Sequence, residues 1–425
     1  MSFLVIGRSE GSPTLYHTTR TPENAERLRL RRQTVTGQPC FVVLMADWAA
    51  GPRTALQRAE DGLLAHPVPV DRRPRSADVA NTAEADAAVQ ASVPPNDYRE
   101  LHRRVREAGL LEPQPRSYGL RLLATGGLAL ASLAFLVAFH AWWGVMAGAL
   151  LLSVVSVQIA FLAHDAGHRQ GFVRRWQNAL VGVILADLLL GTSYSWWVRK
   201  HNQHHAHPNH LDMDPDIELP LIAFTTGQAL EKRGAARFVA RHQLIFALPL
   251  LTLVSYGQRL GSVRFLISER SPYRRWEIAA TLVNAALYIG VPLAFLGPWS
   301  TLLLITLHQG CTGLYLGLVF APNHKGMAVL DDAMLMDPLR AQVLTARNVR
   351  PHPVTDWAYG GLNYQIEHHL FPALSRNRLG ATRRLVRAFC RERAVSYHEV
   401  SVLCSYREIA ESLREAAAPL RLSAS

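Results

Sequence analysis

Seven histidines of this 425-residue chain fall in three short clusters, and an eighth stands alone in Asn323-His324-Lys325-Gly326. The first cluster is His164-Asp-Ala-Gly-His168, the second His201-Asn-Gln-His204-His205, and the third Gln365-Ile-Glu-His368-His369. Residues three and four apart share one face of a helix, so the imidazoles of the first cluster, and those of the second, can point at one metal site. Imidazole suits iron, zinc, copper and nickel alike, so ligand type alone does not choose the metal. Number narrows the choice. Eight imidazoles exceed what one tetrahedral zinc takes, whereas two irons of higher coordination could use them and keep positions open for oxygen. A soluble di-iron site built on Glu-x-x-His pairs is disfavoured, because Glu367 directly precedes His368.

The other ten histidines carry less. His17, His66, His102, His140, His242, His352 and His398 read as ordinary polar residues, and His207 and His210 as loop residues trailing the second cluster. His308 falls inside an apolar segment, where an ionisable group is a functional suspect; a hydrogen bond to a neighbouring helix is the favoured reading. Asp165, Asp214 and Asp216 stand where a carboxylate could accept the outer N–H of a metal-bound imidazole. The plain alternative is a solvated loop.

The elements that must position these residues are apolar. Nothing ionisable except His140 lies between Arg121 and His164, and 278–324 has no Asp, Glu, Lys or Arg. A span needs about 20 mostly apolar residues, so each stretch fits two spans joined by a turn. The spans are expected at 119–139, 143–163, 278–296 and 300–320. The turns are expected at Ala141-Trp142-Trp143-Gly144 and Gly297-Pro298-Trp299-Ser300, with tryptophan at a membrane interface. Two buried hairpins of a soluble core would leave these runs no solvated face. Asn178–Trp197, which carries Asp187, and Phe238–Tyr256 read as interfacial or ambiguous. Tyr194, Trp196 and Trp197 read as interfacial anchors or walls of a substrate tunnel.

The formal charge of +12 is distributed in the same way. Arg99, Arg103, Arg104, Arg106, Arg116 and Arg121 precede the first hairpin. Arg169, Arg174, Arg175, Arg199 and Lys200 follow it, and Arg259, Arg264, Arg270, Arg274 and Arg275 precede the second. Neither tip carries Lys or Arg, so both termini and the middle section are expected in the cytoplasm. The basic charge points to membrane lipid and orientation rather than nucleic acid. The expected fold is thus all-α and integral to the membrane. It has four transmembrane helices in two hairpins, and a cytoplasmic helical cap holding a histidine-rich di-metal site.

Residues 1–92 read as a poorly ordered extension, with Arg72-Arg-Pro-Arg-Ser and an Ala/Asp/Thr-rich run as linker. Residues 93–390 read as the catalytic domain and 391–425 as a cytoplasmic tail. A helix is expected from Asn96 to Gly109, on the spacing of Tyr98, Leu101, Val105 and Ala108. Four cysteines without CxxC spacing imply no disulfide framework, and the N-terminus has no signal-peptide pattern. Only three lysines stand against 42 arginines, a bias pointing to a bacterial cytoplasmic membrane.

With these words in view, residues 96–390 resemble the membrane fatty acid desaturases. HDAGH, HNQHH and QIEHH are similar to the family's three histidine boxes, and APNHKGM, DPDI and GGLNYQIEHHLFP resemble bacterial acyl desaturases. Gln365 in place of the first histidine of the third box is similar to the front-end subgroup, which desaturates between an existing double bond and the carboxyl end. The resemblance implies iron ligation by His164, His168, His201, His204, His205, His324, His368 and His369. It makes Gln365 a ligand or a residue that tunes the site through a hydrogen bond. It implies two non-haem irons, dioxygen as co-substrate, and a fatty acyl substrate linked to CoA, a carrier or a phospholipid. His66-Pro67 is followed by Val68-Pro69 rather than the two glycines of a fused haem domain. Electrons are therefore expected from a separate ferredoxin or similar donor. Two rivals remain: a hydroxylase or monooxygenase with the same boxes acting on a lipid or alkane, and a zinc transporter. The transporter would place its ligands near the middle of the spans rather than at their ends.

Overall fold

The structure, a computed structural model, describes residues 3–9, 12–19, 40–44, 97–331 and 336–422. The chain divides into two compact units, Met1–Pro94 and Pro95–Ser425. In the first, β1 (Phe3–Ser9) pairs antiparallel with both β2 (Ser12–Thr19) and β3 (Cys40–Leu44). These strands fall where no order was expected. Phe3-Leu4-Val5-Ile6 and Phe41-Val42-Val43 are short apolar runs of high strand propensity that a search for spanning lengths passes over. The rest of 1–92 lies outside the described residues.

The second unit is helical. It opens with α1 (Asp97–Glu107), which buries Leu101 and Val105 and stops before Gly109 at φ 65°. Then come α2 (Pro115–Ala138) and α3 (Trp142–Gly167), separated by Phe139-His140-Ala141. The turn thus comes before the tryptophans. Gly144 lies inside the first turn of α3, where a Cβ would sit 2.4 Å from the carbonyl oxygen of Phe139. Arg175–Val183 (α4) continues as a π-helical stretch over Ile184–Leu190, and the chain bends by 109° into α5 (Tyr194–Ala206). The bend uses Gly191 at φ 65°, where a Cβ would lie 2.3 Å from Asn284 Oδ1. Beyond short helices at Thr226–Glu231 and Gly234–Arg241, α6 (Gln243–Leu251) and α7 (Val254–Ser268) meet at 63°. Both segments read as ambiguous in the sequence are therefore bent helix pairs. Helix α8 (Arg274–His324) is broken at Gly297, φ 74°, into 274–296 and 298–324, the position expected for the second turn.

Three of these helices are long and apolar enough to cross a membrane, and up to five if each bent pair is one span. In α3, 56% of the most apolar stretch is buried, against 6% in each of α2 and α8, so α3 is the inner helix. Helix α2 turns Leu123 outward at 74% exposure and α8 turns Phe295 and Trp299 outward at 79% and 82% beside its break, whereas 301–324 of α8 buries Leu304, Leu316 and Val319. Such a surface has no favourable place in water.

Further helices build a second layer. They include α9 (Pro338–Leu344), α10 (Gln365–Leu370), α11 (Arg376–Glu392) and α12 (Val402–Ala416), with short turns of helix at Pro353–Ala358 and Ala418–Leu422. Leu101, Val105, Leu339, Val343, Ile366, Leu370, Val386 and Phe389 form one buried cluster between α1, α9, α10 and α11. Each such side chain contributes about 1.5–3 kcal/mol on burial. A parallel pair of two-residue strands, β4 (Asn348–Val349) and β5 (Glu399–Val400), ties the loop before α10 to the segment before α12. The segment set apart as a tail packs back on the body: Tyr406 donates to the carbonyl of Leu318, and Gln243 to that of Leu413.

Candidate metal centre

Four elements deliver the eight histidines. His164 lies in the last turn of α3 and His168 just beyond it, where Arg169 at φ 60° turns the chain away. Gly167 is needed between them: a Cβ there would stand 2.5 Å from Trp197 Cζ3, and Trp197 stacks on His201 with ring centroids 4.4 Å apart. Helix α5 carries His201, His204 and His205. Its N-terminal amides are fixed by two buried carboxylates, Tyr194 N–H donating to Asp187 (3.1 Å) and Ser195 N–H to Glu277 (2.7 Å). His324 ends α8, and α10 supplies His368 and His369.

The imidazoles converge in two groups. Ligand nitrogens of His164, His168, His201 and His368 lie within 4.8 Å of one another, and so do those of His204, His324 and His369. His205 borders the first group, its Nε2 3.1 Å from His201 Nε2 and 3.0 Å from His368 Nε2. In the second group, His324 Nε2 lies 3.2 Å from His204 Nε2 and 3.0 Å from His369 Nε2. Each of these three rings uses its outer nitrogen. His204 Nδ1 meets Asp214 at 2.9 Å, His324 Nδ1 the carbonyl of Thr345 at 2.9 Å, and His369 Nδ1 the Gln342 side-chain oxygen at 2.8 Å.

Those outer partners are acceptors, so each Nδ1 carries the proton and each Nε2 presents a lone pair. The lone pair of His324 Nε2, about 3 Å from those of both His204 and His369, is repelled by them unless a cation lies between. The first group carries the same signature, since His164 Nε2 and His168 Nε2 are buried without a protein partner. Burial, reinforced by neighbouring imidazoles, holds His368 and His369 well below the ordinary histidine pKa. They are therefore neutral at pH 7, as ligation requires. The donor set fits metal ions.

The three aspartates differ. Asp214, fully enclosed, accepts from His204 and from the backbone N–H groups of Asn209 (2.7 Å) and Asp216 (2.9 Å). Asp216 lies 3.7 Å from His204 Nδ1 and pairs with Lys200. Asp165 lies 3.7 Å from His164 Nδ1, too far for a hydrogen bond, and is held instead by Arg376 at 2.7 Å. An Asp214→Asn chain is expected to bind metal at the second group about 10–100-fold more weakly. Competition with a chelator measures this, and unchanged metal release would remove Asp214 from the site.

Gln365 reaches the second group, its amide nitrogen 2.9 Å from His324 Nε2, while its oxygen is buried without a partner. His308 stands apart, bonded to Ser156 (2.9 Å) and Tyr288 (2.5 Å). His207 and His210 belong to neither group. Trp197 and Tyr194 also face inward. With His164 they line one cavity whose other walls include Phe161, Leu190, Leu316 and Phe320. The cavity is small, about 40 Å³, and His164 is the one histidine in its wall.

Sequence reasoning missed Gln342, Thr345, Asn348 and Tyr397. Asn348 and Tyr397 both donate to Glu367, the buried carboxyl beside His368. Burial pushes that carboxyl up to about 7, opposed by these two hydrogen bonds. None of the four stands in a cluster, and only tertiary packing brings them to the centre.

Comparison with known proteins agrees with this geometry. The family model for fatty acid desaturases matches residues 140–401, which include all eight histidines. The chain is 30% identical over 331 residues to the acyl-lipid (9-3)-desaturase of Physcomitrium patens, covering 76% of this chain and 62% of that protein. It is 28% identical over 345 residues to the Delta(6)-fatty-acid desaturase fat-3 of Caenorhabditis elegans, covering 77% and 76%. With the Delta(5) fatty acid desaturase fat-4 of the same organism it shares 30% over 313 residues, covering 71% and 69%. The chain thus spans just under two thirds of the Physcomitrium protein and more of the other two. It belongs to the fatty acid desaturase family.

Proposed function

We propose that this chain desaturates a fatty acyl chain with dioxygen at two irons held by His164, His168, His201, His204, His205, His324, His368 and His369. The observation that carries the reading is the second group, three fixed-tautomer imidazoles aiming their lone pairs at one point. The reaction balances as one –CH2–CH2– unit, one dioxygen, two electrons and two protons giving –CH=CH– and two waters. Bound iron would supply the activation of dioxygen. The protein's own part is positioning. In this reading the acyl chain passes Phe161, Leu190, Leu316 and Phe320, whose apolar side chains would keep bulk water from the reacting carbons once the small cavity beside His164 opens to admit it.

The relatives' names, Delta(5) and Delta(6), support the front-end reading of Gln365. The apolar outer faces of α2 and α8 support a multi-pass membrane protein of two hairpins, and the arginine distribution supports a cytoplasmic metal centre and termini. The bacterial membrane expected from lysine scarcity finds no support in the relatives compared, which are eukaryotic. Electrons come, in this reading, from a separate ferredoxin-like carrier. The hydroxylase alternative begins with the same hydrogen abstraction, and product analysis separates the two. Purified chain is expected to hold about two irons and to give an acyl product two hydrogens lighter. Zinc as the sole metal in active protein would sink the di-iron reading, and a product one oxygen heavier would favour the hydroxylase.

A further inference from the structure

Helix α11 carries six arginines and one acid in 17 residues. Two of the arginines point inward to fixed partners, Arg376 to Asp165 and Arg383 to Glu399. Arg384, Arg387 and Arg391 do something else. At 100° per residue they fall within about 60° of one another on the helix surface, and all three are exposed. Only Arg387 has a carboxylate within reach among the described residues, Glu399 at 3.9 Å. The opposite face, Leu379, Thr382, Val386, Phe389 and Cys390, is buried against α10 and its neighbours. Helix α10 holds His368 and His369. One helix layer, about 8–10 Å between axes, therefore separates the cationic stripe from the histidine centre.

We infer that the Arg384–Arg387–Arg391 stripe is the docking surface for an acidic one-electron carrier protein. The inference rests on the desaturase reading, whose balance requires two electrons from outside the chain. Two successive visits by a reduced carrier, each giving up one electron, supply them. Three guanidiniums in a row complement a surface of carboxylates and speed encounter by long-range attraction. The stripe also lies over the helix that carries two of the metal-facing histidines. An anionic lipid surface fits less well. Helices that lie on a bilayer bury an apolar face in it, whereas the apolar face of α11 is spent inside the protein, and 371–402 exposes no large hydrophobic side chain.

The test compares full-length wild type with R384E/R387E/R391E and the milder R384Q/R387Q/R391Q, in nanodiscs with an acyl substrate. Electrons come either from a plant-type [2Fe–2S] ferredoxin kept reduced by its reductase, or from dithionite with methyl viologen. With ferredoxin at low ionic strength, turnover is expected to fall about tenfold or more in the Glu variant. The Gln variant should lose less, and added salt should shrink the difference. With dithionite, both variants should stay near wild type, and metal content should be unchanged. An equal fall with both reductants, or no fall with ferredoxin, overturns the docking surface. So does a loss confined to nanodiscs containing anionic lipid and shared by both reductants, which would assign the stripe to the membrane. A wild-type chain that makes no desaturated product even with dithionite refutes the underlying function, and the docking proposal with it.

Discussion

His369→Ala is expected to reduce turnover to background and to bring the metal content from about two ions per chain to about one. His369 is one of only three imidazoles in the second group, and its Nε2 lies 3.0 Å from that of His324. Alanine leaves two imidazoles and Gln365, too few nitrogen donors to hold a second ion against chelation. The fold should survive. The cluster beneath α10 rests on Ile366 and Leu370. His201→Ala and His205→Ala should be equally inactive, through the first group. Elemental analysis of purified, membrane-inserted protein together with product chromatography checks all three. Substantial turnover in any one variant would remove that histidine from the ligand set.

Gln365→Leu is expected to lower turnover by about 10–100-fold, the range seen when a metal's supporting hydrogen-bond partner is removed. The amide nitrogen faces His324 Nε2, the lone pair that a metal would take, and the amide oxygen has no partner. Both cannot persist once an ion binds. Turning the amide end for end presents the oxygen to the ion or to its bound water, with no other movement. Leucine fills the volume but offers nothing. Gln365→His restores a nitrogen donor, and it is expected to retain metal while shifting rate or double-bond position. A near-normal rate and product pattern in Gln365→Leu would show that the amide is only a helix-surface group, and would weaken the front-end assignment.

The convergence of the histidines was partly legible in the sequence because helical spacing is local. His164 with His168, and His201 with His204 and His205, need only one turn of helix each to share a face. The break at Gly297 was equally legible, since a charge-free run of that length cannot be one span. Three things were not. The first turn was placed at the tryptophans, whereas the close approach of Gly144 to Phe139 moves it toward His140. Asp165 looked equivalent to Asp214, and only the position of Arg376, more than 200 residues away, draws it aside. Gln342 and Thr345 satisfy two of the imidazoles, yet nothing in their local sequence marks them. Contacts between distant segments are decided by packing, which leaves no spacing to read.

Helix α5 sends neighbouring residues to different destinations: His204 joins the second group, while His201 and His205 join or border the first. If both groups hold ions, as proposed, the interval between them is set largely by a helical repeat of 1.5 Å and 100° per residue. Loops can relax around an ion of another radius, but this interval cannot follow them. Exchanging the metal should stretch or shorten individual nitrogen bonds while the separation between the ions stays nearly constant.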